Sequence, residues 1–265
     1  MHSGIKIAIG GKGGVGKTTV CSVLAQLFVQ DGFDVLAIDA DSNTNLASAF
    51  GIAAGQSPEP LVKMKQLIAE RTGTGKDAVG AYFRLNPKVS DLPEKYWLEV
   101  NGLKLLALGA ITQAGAGCAC PEGAFLKALL THTMLQRQEM VLVDLAAGVE
   151  FMGRASVQGI DAVVVVVEPG GRSIETAINI ARMARELGIK HVAAITNKIT
   201  STAQIEAIRH KLTDITILAN IKYSSAVQEA DMMDTPVIKA DAELVEQLAK
   251  AKKQLVKLIK SYTSE

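Results

Sequence analysis

The chain has 265 residues, 48% of them hydrophobic, which suits one large α/β domain or two ordinary ones with a core hiding roughly three-quarters of the unfolded surface. Twenty-eight Lys and Arg stand against 27 Asp and Glu, so no strong field draws the chain to nucleic acid or anionic lipid. One Trp, four Tyr and six Phe are too few for a platform of stacked bases, and three Cys make no disulfide framework.

The first 50 residues read as a strand at 5–9, a helix at 17–30 and a second strand at 35–38. Residues 52–101 then break the alternation with Pro58, Pro60, Thr72-Gly73-Thr74-Gly75, Pro87 and Pro93, and read as an insertion, not a second domain. Strands follow at 103–108, 140–143, 162–167, 192–195 and 215–221, with helices at 125–135, 173–187 and 203–211 between them. The ending, 242–261, is a Lys-rich amphipathic helix with Leu244, Leu248, Leu255 and Ile259 on one stripe, expected to pack back onto the sheet. Unbroken apolar runs suit strands buried on both faces, so the expected fold is a doubly wound, mostly parallel α/β sheet in a single domain over 1–265. The longest apolar run, Ala162 to Val167, is far short of the ~20 residues of a membrane helix, and Met1-His2-Ser3 opens no signal-peptide core. The expectation is a cytoplasmic protein with no membrane and no nucleic-acid partner.

Gly11-Lys12-Gly13-Gly14-Val15-Gly16-Lys17-Thr18 fits G-x-x-x-x-G-K-[ST] between the first strand and the first helix. Glycines let successive backbone N–H groups turn inward around a polyanion, and the helix N-terminus adds partial positive charge at the same point. In this motif Lys17 reaches the β- and γ-phosphates, the Thr18 hydroxyl ligates Mg²⁺ and Thr19 faces the α-phosphate. Two carboxylates, Asp39 and Asp41, end the second strand, and a third, Asp144, ends the strand at 140–143, all at the strand ends where ligands of open α/β sheets collect.

The lysine early in the loop, Lys12, makes this run resemble the deviant Walker A ATPases, the class of ParA, MinD and the nitrogenase iron protein. The resemblance implies that Lys12 crosses a homodimer interface to the partner's nucleotide and stabilises the transferring phosphoryl group there. It implies further that Asp41 orients the attacking water and that Asp39 belongs to the Mg²⁺ shell. Asp144 takes the Walker B position, and the Gly148 N–H senses the γ-phosphate. Ser42 stands where the class often has proline. Asn197, followed by Lys198, resembles the base-recognition Asn of the class; Ile199 and Thr200 replace the Asp that would specify guanine, so the class points to ATP and ADP.

Cys118-Ala119-Cys120 follows a Gly-rich stretch and precedes Pro121. Extended backbone turns residues i and i+2 the same way, so both thiols would share a face, and two chains across a dimer axis would gather four sulfurs around one point. Soft thiolates suit Zn²⁺, Ni²⁺ or an iron–sulfur cluster, and the spacing does not rank them. A disulfide between neighbours and two buried small residues are the plainer readings, while Cys21 reads as core packing.

The phosphate loop, Asp39-Ala40-Asp41, the Cys pair, Asp144 to Gly148 and Glu168-Pro169 together resemble the CooC family of nickel-insertion ATPases that mature carbon monoxide dehydrogenase. Family members often have Glu at the position of Ala146 and His at that of Phe151. The resemblance implies an ATP-hydrolysing metallochaperone, homodimeric in a nucleotide- and metal-dependent way, with Ni²⁺ (Zn²⁺ fits the same thiolates) at Cys118 and Cys120 and apo carbon monoxide dehydrogenase as client. The other readings are an ATP-gated iron–sulfur electron carrier on the same sulfurs, and a MinD- or ParA-like positioning ATPase.

Overall fold

The structure is a computed structural model that describes residues 4–74, 83–110, 120–136, 139–147 and 159–260. Among them one eight-stranded sheet is built from β1 (Lys6–Gly11), β2 (Val35–Ala40), β3 (Leu98–Val100), β4 (Leu103–Ala107), β5 (Met140–Leu145), β6 (Ala162–Val167), β7 (His191–Ile199) and β8 (Thr216–Lys222). The strand order is β3-β4-β2-β5-β1-β6-β7-β8, with every pair parallel except β3 and β4. Strands β2 to β5 lie on one side of β1 and β6 to β8 on the other, the doubly wound arrangement that opens a crevice at the carboxyl end of that strand. All residues of β1, β2, β5 and β6 are buried, which is why they carry Val, Ile, Leu and Ala without polar alternation.

Among the described residues there are nine α-helices: α1 (Lys17–Gln30), α2 (Leu46–Ala49), α3 (Lys65–Thr72), α4 (Leu92–Tyr96), α5 (Pro121–Gln136), α6 (Gly171–Glu186), α7 (Thr202–Lys211), α8 (Ser225–Met232) and α9 (Ala242–Lys260). They cover both faces of the sheet. On one, Ile7, Ile9 and Val164 pack with Phe28 of α1 and Leu248 and Leu255 of α9. On the other, Ala8, Val163 and Val165 pack with Phe125 of α5 and Ile180 of α6. The expected stripe of α9 is buried, and Asp241 starts that helix by accepting the Leu244 N–H at 3.0 Å. Lys252 is buried in the same interface, donating to the Leu27 carbonyl at 2.8 Å and pairing with Asp31 at 2.7 Å.

The described residues among 52–101 hold more order than their turn-rich composition suggests. Within them α3 and α4 bury Ile68 and Leu92 in the core beneath α5, and β3 forms a hairpin with β4 through Asn101 and Gly102, both at positive φ. Strand β3 has three residues, too short to show a period, and α8 is half polar and buries only Ala230 among its residues, so neither announces itself in the sequence. Among the described residues no helix is long and apolar enough to cross a membrane.

Candidate functional site

The phosphate loop leaves β1 at Gly11 and enters α1 at Gly16, at the crevice predicted by the strand order. Gly11, at φ 148°, runs so close to β6 that a Cβ there would lie 2.5 Å from the Val166 carbonyl oxygen. Gly16 is left-handed at φ 96°, and a Cβ on it would collide with the Asn197 amide nitrogen. The loop is therefore closely flanked at both ends, by the β6 backbone and by the Asn197 side chain, while Gly13 and Gly14 between them are exposed. Val15 is fully buried, and buried Lys17 donates from Nζ to the Lys12 carbonyl at 3.4 Å, spanning the loop it follows.

Parallel pairing sets Asp39 of β2 opposite Asp144 of β5, so two carboxylates meet at the sheet's carboxyl edge. The Thr18 hydroxyl donates to Asp144 Oδ2 at 2.6 Å, and the buried Oδ1 has no hydrogen-bond partner among the described residues. Burial raises the Asp144 carboxyl to about 7, with the neighbouring Asp39 charge adding to the effect and the Thr18 hydrogen bond and Lys17 opposing it. Asp39 is pushed up to about 6, again by burial, against the backbone N–H groups of Leu46 and Asp41 that donate to it at 2.9 and 3.1 Å. Asp39 thus fixes the turn carrying Asp41, whose own partly exposed carboxylate accepts the Asn43 N–H at 3.1 Å and the Ser42 hydroxyl at 3.2 Å. An orphaned carboxylate oxygen beside a hydroxyl, behind a glycine cradle that a Cβ would fill, fits a hard divalent cation carried by a polyphosphate. Thr18 and Asp144 are the residues that would hold such a cation, with Asp39 behind them.

On the other flank, buried Asn197 donates from Nδ2 to the Val15 carbonyl at 2.9 Å and accepts the Lys198 N–H at 2.9 Å. An amide has two donor hydrogens and two acceptor lone pairs, so one of each remains for a base edge. Lys198, held in a left-handed turn at φ 59°, donates from Nζ to the Gly14 carbonyl. Lys12 Nζ lies 3.2 Å from Glu168 Oε1, and Lys198 Nζ lies 3.5 Å from Glu168 Oε2, one carboxylate bridging two cations. In the sequence Glu168 is marked by the Glu168-Pro169 pair of the CooC resemblance and by following β6 at the ligand-bearing edge; that it touches the phosphate loop follows from β1 and β6 being neighbours, which local pattern does not reveal.

Thr19, partly buried, turns its carbonyl to the Ser22 hydroxyl at 3.0 Å. Cys21 is fully buried in α1, as expected for core packing, and burial pushes its thiol up. Cys120 stands at the start of α5, where its Sγ accepts the Gly123 N–H at 3.2 Å and its carbonyl accepts the Ala124 N–H at 3.1 Å. Cys118 and Gly148 lie outside the described residues, as does Phe151. Among the described residues no group of three or more His, Cys, Asp or Glu is placed to hold a metal ion. The segment after Asp144 does approach the loop: a Cβ on Gly13 would sit 3.6 Å from that of Ala147.

Residues 6–237 match the CobQ/CobB/MinD/ParA nucleotide binding domain. The chain is 43% identical over 229 residues to the carbon monoxide dehydrogenase accessory protein CooC of Rhodospirillum rubrum, covering 86% of this chain and 87% of that one. It belongs to this nucleotide-binding family, among the CooC-like proteins. An uncharacterised ATP-binding protein of Methanocaldococcus jannaschii is 36% identical over 256 residues, 96% of this chain and 98% of the relative. In fold, the septum site-determining protein MinD of Pyrococcus horikoshii, solved with Mg-ADP, superposes with a TM-score of 0.68 at 18% identity over 95% of this chain and 96% of its own. Family membership and the loop geometry agree on a P-loop ATPase domain.

Proposed function

We propose that this CooC-like protein is an ATP-hydrolysing metallochaperone that carries Ni²⁺ between two copies of the chain and delivers it to apo carbon monoxide dehydrogenase. The observation that most supports this reading is the 43% identity, over 86% of the chain, to a protein named as a carbon monoxide dehydrogenase accessory protein. In it, the Cys118 and Cys120 thiolates of two protomers gather around the metal cargo, a donor set that Zn²⁺ also suits. Cys120 at the start of α5 agrees with this role, since a helix N-terminus favours negative charge at that point.

The nucleotide half assigns one task to each residue. The loop from Gly11 through Gly13, Gly14, Val15 and Gly16 offers N–H groups to the phosphates, Lys17 neutralises the β- and γ-phosphates, and Thr19 faces the α-phosphate. Thr18 and Asp144 would hold Mg²⁺, which would supply positive charge against the phosphates, with Asp39 behind them. Asn197 reads the base, Asp41 orients the attacking water, and Lys12 acts on the partner's site. The Gly148 N–H reports the γ-phosphate toward the Cys segment. Closure then requires that nucleotide bind the closed dimer more tightly than the open one.

Anaerobic titration of reduced protein with Ni²⁺, following metal per chain and mass together, tests the cargo site. One Ni²⁺ per dimer for the wild type and none for the Cys118→Ser, Cys120→Ser double variant is expected; equal binding by both, or by neither, removes the thiolate site. Mixing Lys12→Ala and Asp41→Asn chains tests the shared nucleotide sites. Each variant alone is expected to hydrolyse ATP poorly, and the mixture to regain about a quarter of wild-type turnover, because half the dimers are mixed and each has one intact site. No recovery shows that Lys12 acts within its own chain.

A further inference from the structure

The single chain already occupies Lys12 with a partner. Its ammonium lies 3.2 Å from Glu168 Oε1, and the second oxygen of that carboxylate lies 3.5 Å from Lys198 Nζ. Glu168 is fixed from behind: its N–H donates to the buried Ser173 hydroxyl at 3.1 Å, and it follows a fully buried strand paired on one side with β1 and on the other with β7. Lys198 is fixed as well, by its bond to the Gly14 carbonyl and by Asn197 accepting its backbone N–H. Lys12 is the movable member of the trio: the two lysine side chains are equally accessible, at 41%, but the Lys198 ammonium is also tied to the Gly14 carbonyl, whereas Lys12 Nζ meets Glu168 alone among the described residues.

We propose that Glu168 is a positioning residue that holds Lys12 against its own protomer until a nucleotide-loaded partner competes for it, with Lys198 keeping Glu168 neutralised once Lys12 has left. The inference rests on Lys12 acting in trans and adds to it a residue that sets the threshold for that action. A carboxylate facing one cation would be stranded when that cation crossed an interface, and an uncompensated charge at a closing interface is costly. A carboxylate already shared with a second, anchored cation is not stranded. The exchange then costs little more than an exposed ion pair, a small quantity that a bound γ-phosphate can overcome. Because two chains each release one such pair, dimerisation carries the cost twice.

The test is the dimer dissociation constant measured by sedimentation with a non-hydrolysable ATP analogue and Mg²⁺, for wild type, Glu168→Gln and Lys198→Met, with ATP turnover per assembled dimer measured alongside. Glu168→Gln frees Lys12 and is expected to tighten the dimer by between about twofold and thirtyfold, the range for losing two exposed pairs. Lys198→Met leaves Lys12 as the only cation on Glu168 and is expected to loosen the dimer. Turnover per assembled Glu168→Gln dimer stays within about twofold of wild type, since Lys12 itself is intact. A residue that merely braced the phosphate loop would loosen the dimer in both variants, so shifts in the same direction, or an unchanged constant in Glu168→Gln, overturn the proposal. The mixed-chain experiment separates the two ideas: recovery of turnover there with no shift in Glu168→Gln removes the role of Glu168 alone, whereas no recovery removes both.

Discussion

Asp144 shows what one side chain gives up to stand at the carboxyl edge of a buried strand. It is 1% exposed, has one oxygen without a partner among the described residues, and in the nucleotide-free protein holds its proton up to about pH 7. A carboxyl raised on folding contributes stability that is fully present below its unfolded value near 3.9 and is lost as pH rises through the folded one. Over that window the native state keeps a proton the unfolded chain has released, a slope of ~1.4 kcal/mol per pH unit for one group. Asp39 adds a similar loss that ends at about pH 6. Without Mg²⁺ or nucleotide, the urea midpoint is therefore expected to fall between pH 5 and pH 7.5, and Asp144→Asn to fall less; equal slopes would show that the burial of Asp144 does not control the window. The placing of Thr18 and Lys17 where the loop enters α1 was legible in the sequence because their motif is local and follows from eight consecutive residues. The pairing of Lys12 and Lys198 with Glu168 was not, since the three residues are brought together only by strand order.

Among the elements, those with long apolar periods were read most faithfully. Helix α1 spans Lys17–Gln30, the residues expected for it, and α9 buries the Leu244, Leu248, Leu255 and Ile259 stripe. The sequence was least informative in residues 52–101, where Pro and Gly punctuation hides α3 and α4, short helices held by burial in the core, α3 against α5, more than by their own propensity. Helix α9 also buries a lysine that no period predicts. Lys252 supplies the Leu27 carbonyl near the end of α1 with a donor and lays its stem over Phe28, with Nζ 5.6 Å from the ring centroid. Lys252→Ala removes both stem and donor and is expected to cost about 2–4 kcal/mol in equilibrium unfolding. Lys252→Met keeps the stem and is expected to cost about half as much; a neutral Lys252→Ala would show that α9 is held without this contact.

For the whole molecule, the site lies where β1 meets β5 and β6 in the middle of the sheet, so a nucleotide there touches elements from both halves of the chain. A ligand that binds only the native state stabilises it by about 2.7 kcal/mol at a hundredfold excess over its dissociation constant. Saturating Mg-ADP is accordingly expected to raise the thermal midpoint by several degrees, an effect lost in Lys17→Ala; an equal rise in that variant would place the nucleotide elsewhere. The meaning of such a midpoint depends on the fate of the unfolded chain. The Ala162–Val167 strand, uninterrupted by charge, proline or glycine, is safe only because β1 and β7 occupy its two edges and helices cover its faces. Once released, that run is a segment well suited to pairing with copies of itself, so heated protein should precipitate and not return on cooling. Nucleotide would then protect by lengthening the lifetime of the native state, and the midpoint would move with the rate of heating.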